Sequence, residues 1–182
     1  NTYSGATTVS AGTLQAGAAN TFSSNSFVTV ASGATLDLNG HSQLLRSLAG
    51  AGSVTLGTAA TTVLTINDYW ADATFSGTIS GSGGLAKTGT TTLSLSGSNT
   101  YAGPTVVTRG TLQAGATNTF SSNSAVTVDT EGTLALGGYS QTIGGLAGSG
   151  LVTLGSNAAT VLTINTGASD STYMGVISGS GR

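Results

Sequence analysis

Apolar residues along the chain fall in short alternating runs rather than long stripes. Thr13-Leu14-Gln15, Thr35-Leu36-Asp37-Leu38, Val54-Thr55-Leu56, the stretch from Phe75 to Ile79, and Thr92-Leu93-Ser94-Leu95 each alternate apolar and polar positions. Period two, β-branched residues and flanking Gly, Ser or Asn predict strands. The Leu or Phe residues of these runs recur about every 20 positions, and Leu112 opens the next cycle. A second set, Val28-Thr29-Val30 and Val63-Leu64-Thr65-Ile66, falls between them, so each turn holds more than one strand. The pattern predicts an all-β solenoid whose strands stack rung on rung. No apolar stripe recurs at helical spacing, and no apolar run approaches the ~20 residues of a membrane span.

A longer period overlies the short one. NTYSGATTVSAGTLQAGAANTFSSNS, from Asn1, returns as NTYAGPTVVTRGTLQAGATNTFSSNS from Asn99, an offset of 98 residues. The offset holds without a gap to Ile177–Gly181, which matches Ile79–Gly83. Roughly 50 of about 84 aligned positions are identical, which marks a duplicated structural unit. The predicted organisation is one continuous solenoid, with a first unit over 1–98 and an incomplete second over 99–182, expected to be a piece of a longer array. Five rungs per unit at about 4.8 Å predict roughly nine rungs and a rod about 40–45 Å long. An open β-sandwich is the competing all-β arrangement, but it accounts for neither the ladder nor the gapless repeat.

Composition narrows the chemistry. Of 182 residues 29 are Gly and only 5% are charged, with a formal net charge of −2. So sparse and slightly acidic a chain has no electrostatic footprint for nucleic acid. Its 38% hydrophobic content argues against disorder. With no Cys, a disulfide scaffold, a thiol nucleophile and a thiolate metal site are excluded.

Ser80 to Gly115, SGSGGLAKTGTTTLSLSGSNTYAGPTVVTRGTLQAG, resembles the passenger-associated transport repeat of autotransporters, the type V secreted proteins of Gram-negative bacteria. The matching residues are Gly84-Leu85, Lys87-Thr88-Gly89, Thr92-Leu93, Leu95-Ser96-Gly97, Asn99-Thr100-Tyr101, Gly103 and Gly110-Thr111-Leu112; Thr91 and Pro104 depart from the pattern. The resemblance implies a right-handed parallel β-helix serving as an extracellular, cell-surface stalk, anchored by a C-terminal outer-membrane barrel of the same parent chain. It also implies a role in passenger secretion and in proteins that are frequently adhesins. The expected partners are a host-surface protein or glycan, or another copy of the chain.

Candidate reactive residues are few. An enzyme built on a β-helix needs acids and bases gathered on one face. Among the acids only Asp72 recurs in the second unit, as Asp170, and both read as turn formers before a strand. Asp129 and Glu131 read as a solvated turn, and His41 as a corner residue. Arg46 and Arg109 read as additions to the scaffold, and Lys87 as a solvent-facing strand position. No catalytic residue, metal site or cofactor is expected. One segment breaks the repeat: Asn67-Asp68-Tyr69-Trp70-Ala71-Asp72 stands against Asn165-Thr166-Gly167-Ala168-Ser169-Asp170, and it holds the sole Trp. Asp68, Tyr69 and Trp70 are therefore the candidate binding residues, suited to stacking on a sugar or anchoring a protein.

Overall fold

The computed structural model describes residues 1–165 and 171–182. Its strands are short, and every pairing between them is parallel. The chain winds into a β-solenoid of about eight turns, and the parallel stacking excludes the sandwich.

Three faces line the coil. The first stacks Thr7–Val9, Phe27–Val30, Ser47–Gly50, Ala73–Phe75 and Thr92–Leu95. It continues through the later halves of Thr105–Ala114 and Ala125–Ala135 to Leu151–Thr153 and Val176–Ser178. The second stacks Thr13–Gln15, Thr35–Asp37, Ser53–Thr55 and Thr78–Ser80, and ends on Gln141–Ile143 and Leu162–Ile164. Between those two groups the ladder passes through Asn99 and Thr119: the Ile79 N–H donates to Asn99 Oδ1, the Asn99 N–H to Thr119 O, and the Thr119 N–H to Gln141 Oε1. The third stacks Gln43–Leu45, Val63–Ile66 and Gly84–Lys87, the early halves of Thr105–Ala114 and Ala125–Ala135, and Gly145–Gly148. Nine strand segments on the first face agree with the expected rung count.

Alternation explains the core. Inward positions form columns such as Leu14–Leu36–Val54–Ile79 on the second face and Leu64–Leu85–Thr105–Val126–Leu146 on the third. Leu36, Val54, Ile79, Leu64 and Leu85 are completely buried, each worth roughly 1.5–3 kcal/mol of transfer free energy. The predicted run Phe75 to Ile79 divides at Gly77, where the first face turns into the second. There Gly52, Gly77 and Gly97 stack so closely that a Cβ on Gly77 would strike the Gly52 carbonyl, and one on Gly97 the Gly77 carbonyl.

The turn length is not uniform. Neighbouring rungs of the first face are offset by 18 to 22 residues, except for one 25-residue step in each unit, Gly50 to Phe75 and Leu151 to Val176. In the first unit the surplus is the Asn67–Asp72 loop, thrown out at the corner between the third face and the first. Four turns carry Val9 through Val30, Gly50 and Phe75 to Leu95, all on the first face. Val107, the repeat counterpart of Val9, lies twelve residues further on, in the third face beneath Val128. One 98-residue unit thus closes four and two-thirds turns, where the sequence periodicity predicted five. The second copy is turned by one face relative to the first.

The repeated polar motif works as an inter-rung lock. Tyr101 Oη lies 2.6 Å from Thr105 Oγ1, which lies 2.8 Å from Ser124 Oγ. Ser124 Oγ donates to Gly103 O and Ser121 Oγ to Tyr101 O. Tyr3, Thr7, Ser26 and Ser23 form the same set in the first copy. Tyr101 is fully buried, whereas Tyr3 is 43% exposed. Tyr101→Phe should therefore cost about 1–2 kcal/mol in chemical denaturation, and Tyr3→Phe only a few tenths; equal losses would mean the buried hydroxyl network contributes nothing special.

A charged corner carrying an aromatic pair

Charges are segregated in this fold. Of the nine Lys, Arg, Asp and Glu among the described residues, seven lie on or beside the corner joining the third face to the first. In rung order they are Arg46, Asp68 with Asp72, Lys87, Arg109, and Asp129 with Glu131. The third-of-a-turn shift between units brings them together. Arg46 and Arg109 occupy unrelated positions of the repeat, yet they stand on the same edge.

Asp68, Tyr69 and Trp70 separate by depth. Trp70 is 78% exposed and Tyr69 51%, while Asp68 is buried. Asp68 Oδ1 accepts the Trp70 N–H at 2.9 Å, an Asx turn that aims the loop outward. The Trp70 ring lies over the Arg46 guanidinium at 5.2 Å, and the same guanidinium lies over Phe27 at 4.3 Å. Arg46 Nε is 3.9 Å from Asp68 Oδ1, so Arg46 is not a mere addition to the scaffold: it holds the loop from below. Higher on the corner Arg109 Nε donates to Glu131 Oε2 at 2.6 Å. Glu131 first, and Tyr69 after it, push the Arg109 pKa up. Glu131 is thus ion-paired across a rung while its side chain stays 62% exposed to solvent. Asp72 precedes the strand Ala73–Phe75, and its Oδ1 accepts the Thr92 N–H of the next rung at 2.7 Å. Asp170 lies outside the described residues. His41 follows the Asn39-Gly40 turn at a half-buried corner.

Lys87 contradicts the expectation of a solvent-facing residue. It sits in the inward column Leu45–Ile66–Lys87–Val107–Val128 and is completely buried. Its Nζ donates to Gly89 O at 2.7 Å, Thr88 O at 3.0 Å and Arg109 O at 3.5 Å. These corner carbonyls end their strands, and the ammonium caps them from inside. Burial pulls the Lys87 pKa down to about 8 against the opposing pull of Asp68 and Asp72. Alternation in Gly84-Leu85-Ala86-Lys87 already placed Lys87 on the side of Leu85; its charge masked that signal. Among the described residues no three His, Cys, Asp or Glu side chains gather into a metal-binding group.

The passenger-associated-transport-repeat family model matches residues 1–16 and 85–114. A curated relative, described as the adhesin BmaC autotransporter of Brucella suis biovar 1 (strain 1330), is 39% identical over 138 residues. That match covers 73% of this chain and 4% of the relative. No solved structure matches the chain. The chain carries autotransporter passenger repeats. The two matched segments hold Asn1-Thr2-Tyr3 and Asn99-Thr100-Tyr101, so the family pattern includes the Tyr–Thr side of the inter-rung lock, and it also includes the buried Lys87.

Alkaline titration follows from two buried groups. Below about pH 8 Lys87 is charged in both folded and unfolded chains. From about 8 to 10.5 only the unfolded chain holds that proton, so stability rises with pH. Burial raises the Tyr101 pKa from 10.0 to about 12, so above pH 10 the folded chain holds the extra proton and stability falls. Thermal melts should peak near pH 10, with limbs of roughly 3 kcal/mol each. Lys87→Met should erase the rising limb and leave the falling one; a rise that survives this substitution would remove Lys87 as its source.

Proposed function

We propose that this chain is a stalk segment of a cell-surface autotransporter adhesin, supporting passenger secretion and holding adhesive surface away from the outer membrane. The observation that carries the reading is the stacking itself. Each rung finds its backbone partners and its apolar cover only in its neighbours, so the coil grows by adding one turn of about 21 residues to an existing end. A chain emerging from a pore would gain stability turn by turn on the outer side, and folded turns would not slide back. The likeness to an adhesin autotransporter supports an extracellular location, with the anchoring barrel supplied by the parent chain. The chain spans 4% of the length of that relative, so its receptor and full activity belong to this proposal.

A non-enzymatic role is the reading the corner favours. Glycan cleavage uses a pair of carboxylates flanking a bond. Here Asp68 is buried, Glu131 is bound to Arg109, and Asp72 accepts a backbone N–H.

A second reading, that the segment itself adheres through Asp68, Tyr69 and Trp70 to a host-surface protein or glycan, is favoured by the exposed aromatic pair. Self-association along the uncharged faces is the remaining form of adhesion under this proposal.

Leu93 and Leu95 are buried in the first face, one turn above Phe75. Leu93→Asp with Leu95→Asp in a passenger carrying this chain should lower surface display several-fold, read by antibody labelling of intact cells. Unchanged display would overturn the stacking mechanism.

A further inference from the structure

The corner from Arg46 to Glu131 has the dimensions and chemistry of a binding strip. Four rung steps separate these residues, about 19 Å at about 4.8 Å per step. Trp70 reaches down the strip to Arg46, and Tyr69 lies toward Arg109 above. One face of the Trp70 ring is held by Arg46, which is itself held by Phe27. The ring is therefore pre-organised, yet 78% of the residue stays open to solvent. Pre-organisation cuts the entropy lost when a ligand stacks on it. Of the other large aromatic side chains Tyr101, Phe75, Phe22 and Phe120 are buried, and Tyr3 and Tyr139, at 43% each, are less exposed than Trp70 and Tyr69.

Width and charge decide what such a strip can hold. The adjoining faces present small uncharged side chains, among them Thr65 and Ala86 on one side and Thr74 and Ser94 on the other. A stable protein interface needs about 800 Å² from each partner, whereas this strip is one corner wide and about 19 Å long. A slender chain lying along the rod axis fits it. Above the buried Lys87 and Asp68, the corner carries two cations, Arg46 and Arg109, against three carboxylates, Asp72, Asp129 and Glu131. That balance gives no attraction for a polyanion. Paired Arg109 and Glu131 present donors and acceptors side by side, the arrangement that neighbouring hydroxyl groups require.

We infer that this corner binds a neutral glycan chain running along the solenoid axis, with one sugar ring stacked on Trp70 and further rings reaching Arg109 and Glu131. The inference rests on the adhesive reading of the Tyr69–Trp70 loop and names its ligand class. Since Trp70 is the sole Trp, its fluorescence reports the contact directly.

The 182-residue chain would be titrated with neutral oligosaccharides of two to six units, in β-1,4-glucose, β-1,4-N-acetylglucosamine, α-mannose and β-galactose series, and with oligogalacturonates as the acidic comparison. A saturable shift of Trp70 emission is expected with a neutral series, its affinity rising at least tenfold from two units to six. Calorimetry should find binding lost in Trp70→Ala, an exposed position where the β-type circular dichroism stays unchanged. Arg109→Gln should weaken the six-unit ligand about tenfold and leave the two-unit ligand unaffected. No saturable response to any neutral series, or tighter binding of the acidic oligomers, would overturn the inference. Adherence of the chain to host cells, measured in parallel, separates the two levels. Adherence lost in Trp70→Ala without any saccharide response keeps the adhesive loop and rejects the glycan. Adherence unaffected by Trp70→Ala, again without saccharide response, rejects both.

Discussion

No rung of this solenoid is complete by itself. Its strands are three or four residues long, or two such segments joined through a corner, and isolated strands of that length have no stability in water. Each depends on the turns above and below for its backbone hydrogen bonds, and on the same turns to cover its inward side chains. Composition follows from that dependence. Inward sites must suit a copy of themselves about 4.8 Å away, which favours Leu, Val and Ile and disfavours like charges. The closest corners admit only Gly, as at Gly52, Gly77 and Gly97, where backbone approaches backbone. Low charge content is thus a consequence of stacking, and the few charges that remain gather at one corner where the column is interrupted.

Lys87 is the exception that shows how the interior tolerates charge. A buried ammonium is costly unless it is hydrogen-bonded and faced by opposite charge. Lys87 donates to the corner carbonyls of Thr88 and Gly89, and Asp68 and Asp72 offset part of its desolvation. Asp68 in turn shapes the loop that lifts Tyr69 and Trp70 into solvent. The buried and exposed parts of the corner are therefore one arrangement: the aromatic pair stands where it does because of the charges beneath it.

The outward loop also sets the symmetry of the rod. Its extra residues make one turn long, and the 98-residue unit closes on two-thirds of a turn instead of a whole one. Residues equivalent in sequence then face different sides, and residues unrelated in the repeat share an edge. Arg46 and Arg109 are the clearest instance. A rod built of such units presents each recurring feature around its circumference rather than along one line.

Alternation of small apolar and polar residues, the period of about 20 and the duplication at 98 were enough to determine an all-β solenoid and its rung count, because each is a local or repeating property of the chain. The break in the repeat at Asn67–Asp72 was also legible, and it marks the loop that carries the exposed aromatics. Depth and alignment were not. Asp68 reads as a neighbour of Trp70, yet it is buried; Lys87 reads as a surface charge, yet it fills an inward column. Both follow from how a corner is closed by the rungs on either side, and no single strand contains that information. The fractional turn was hidden for the same reason. The number of residues in a turn depends on how far a loop bulges, and only pairing across turns fixes which residues meet.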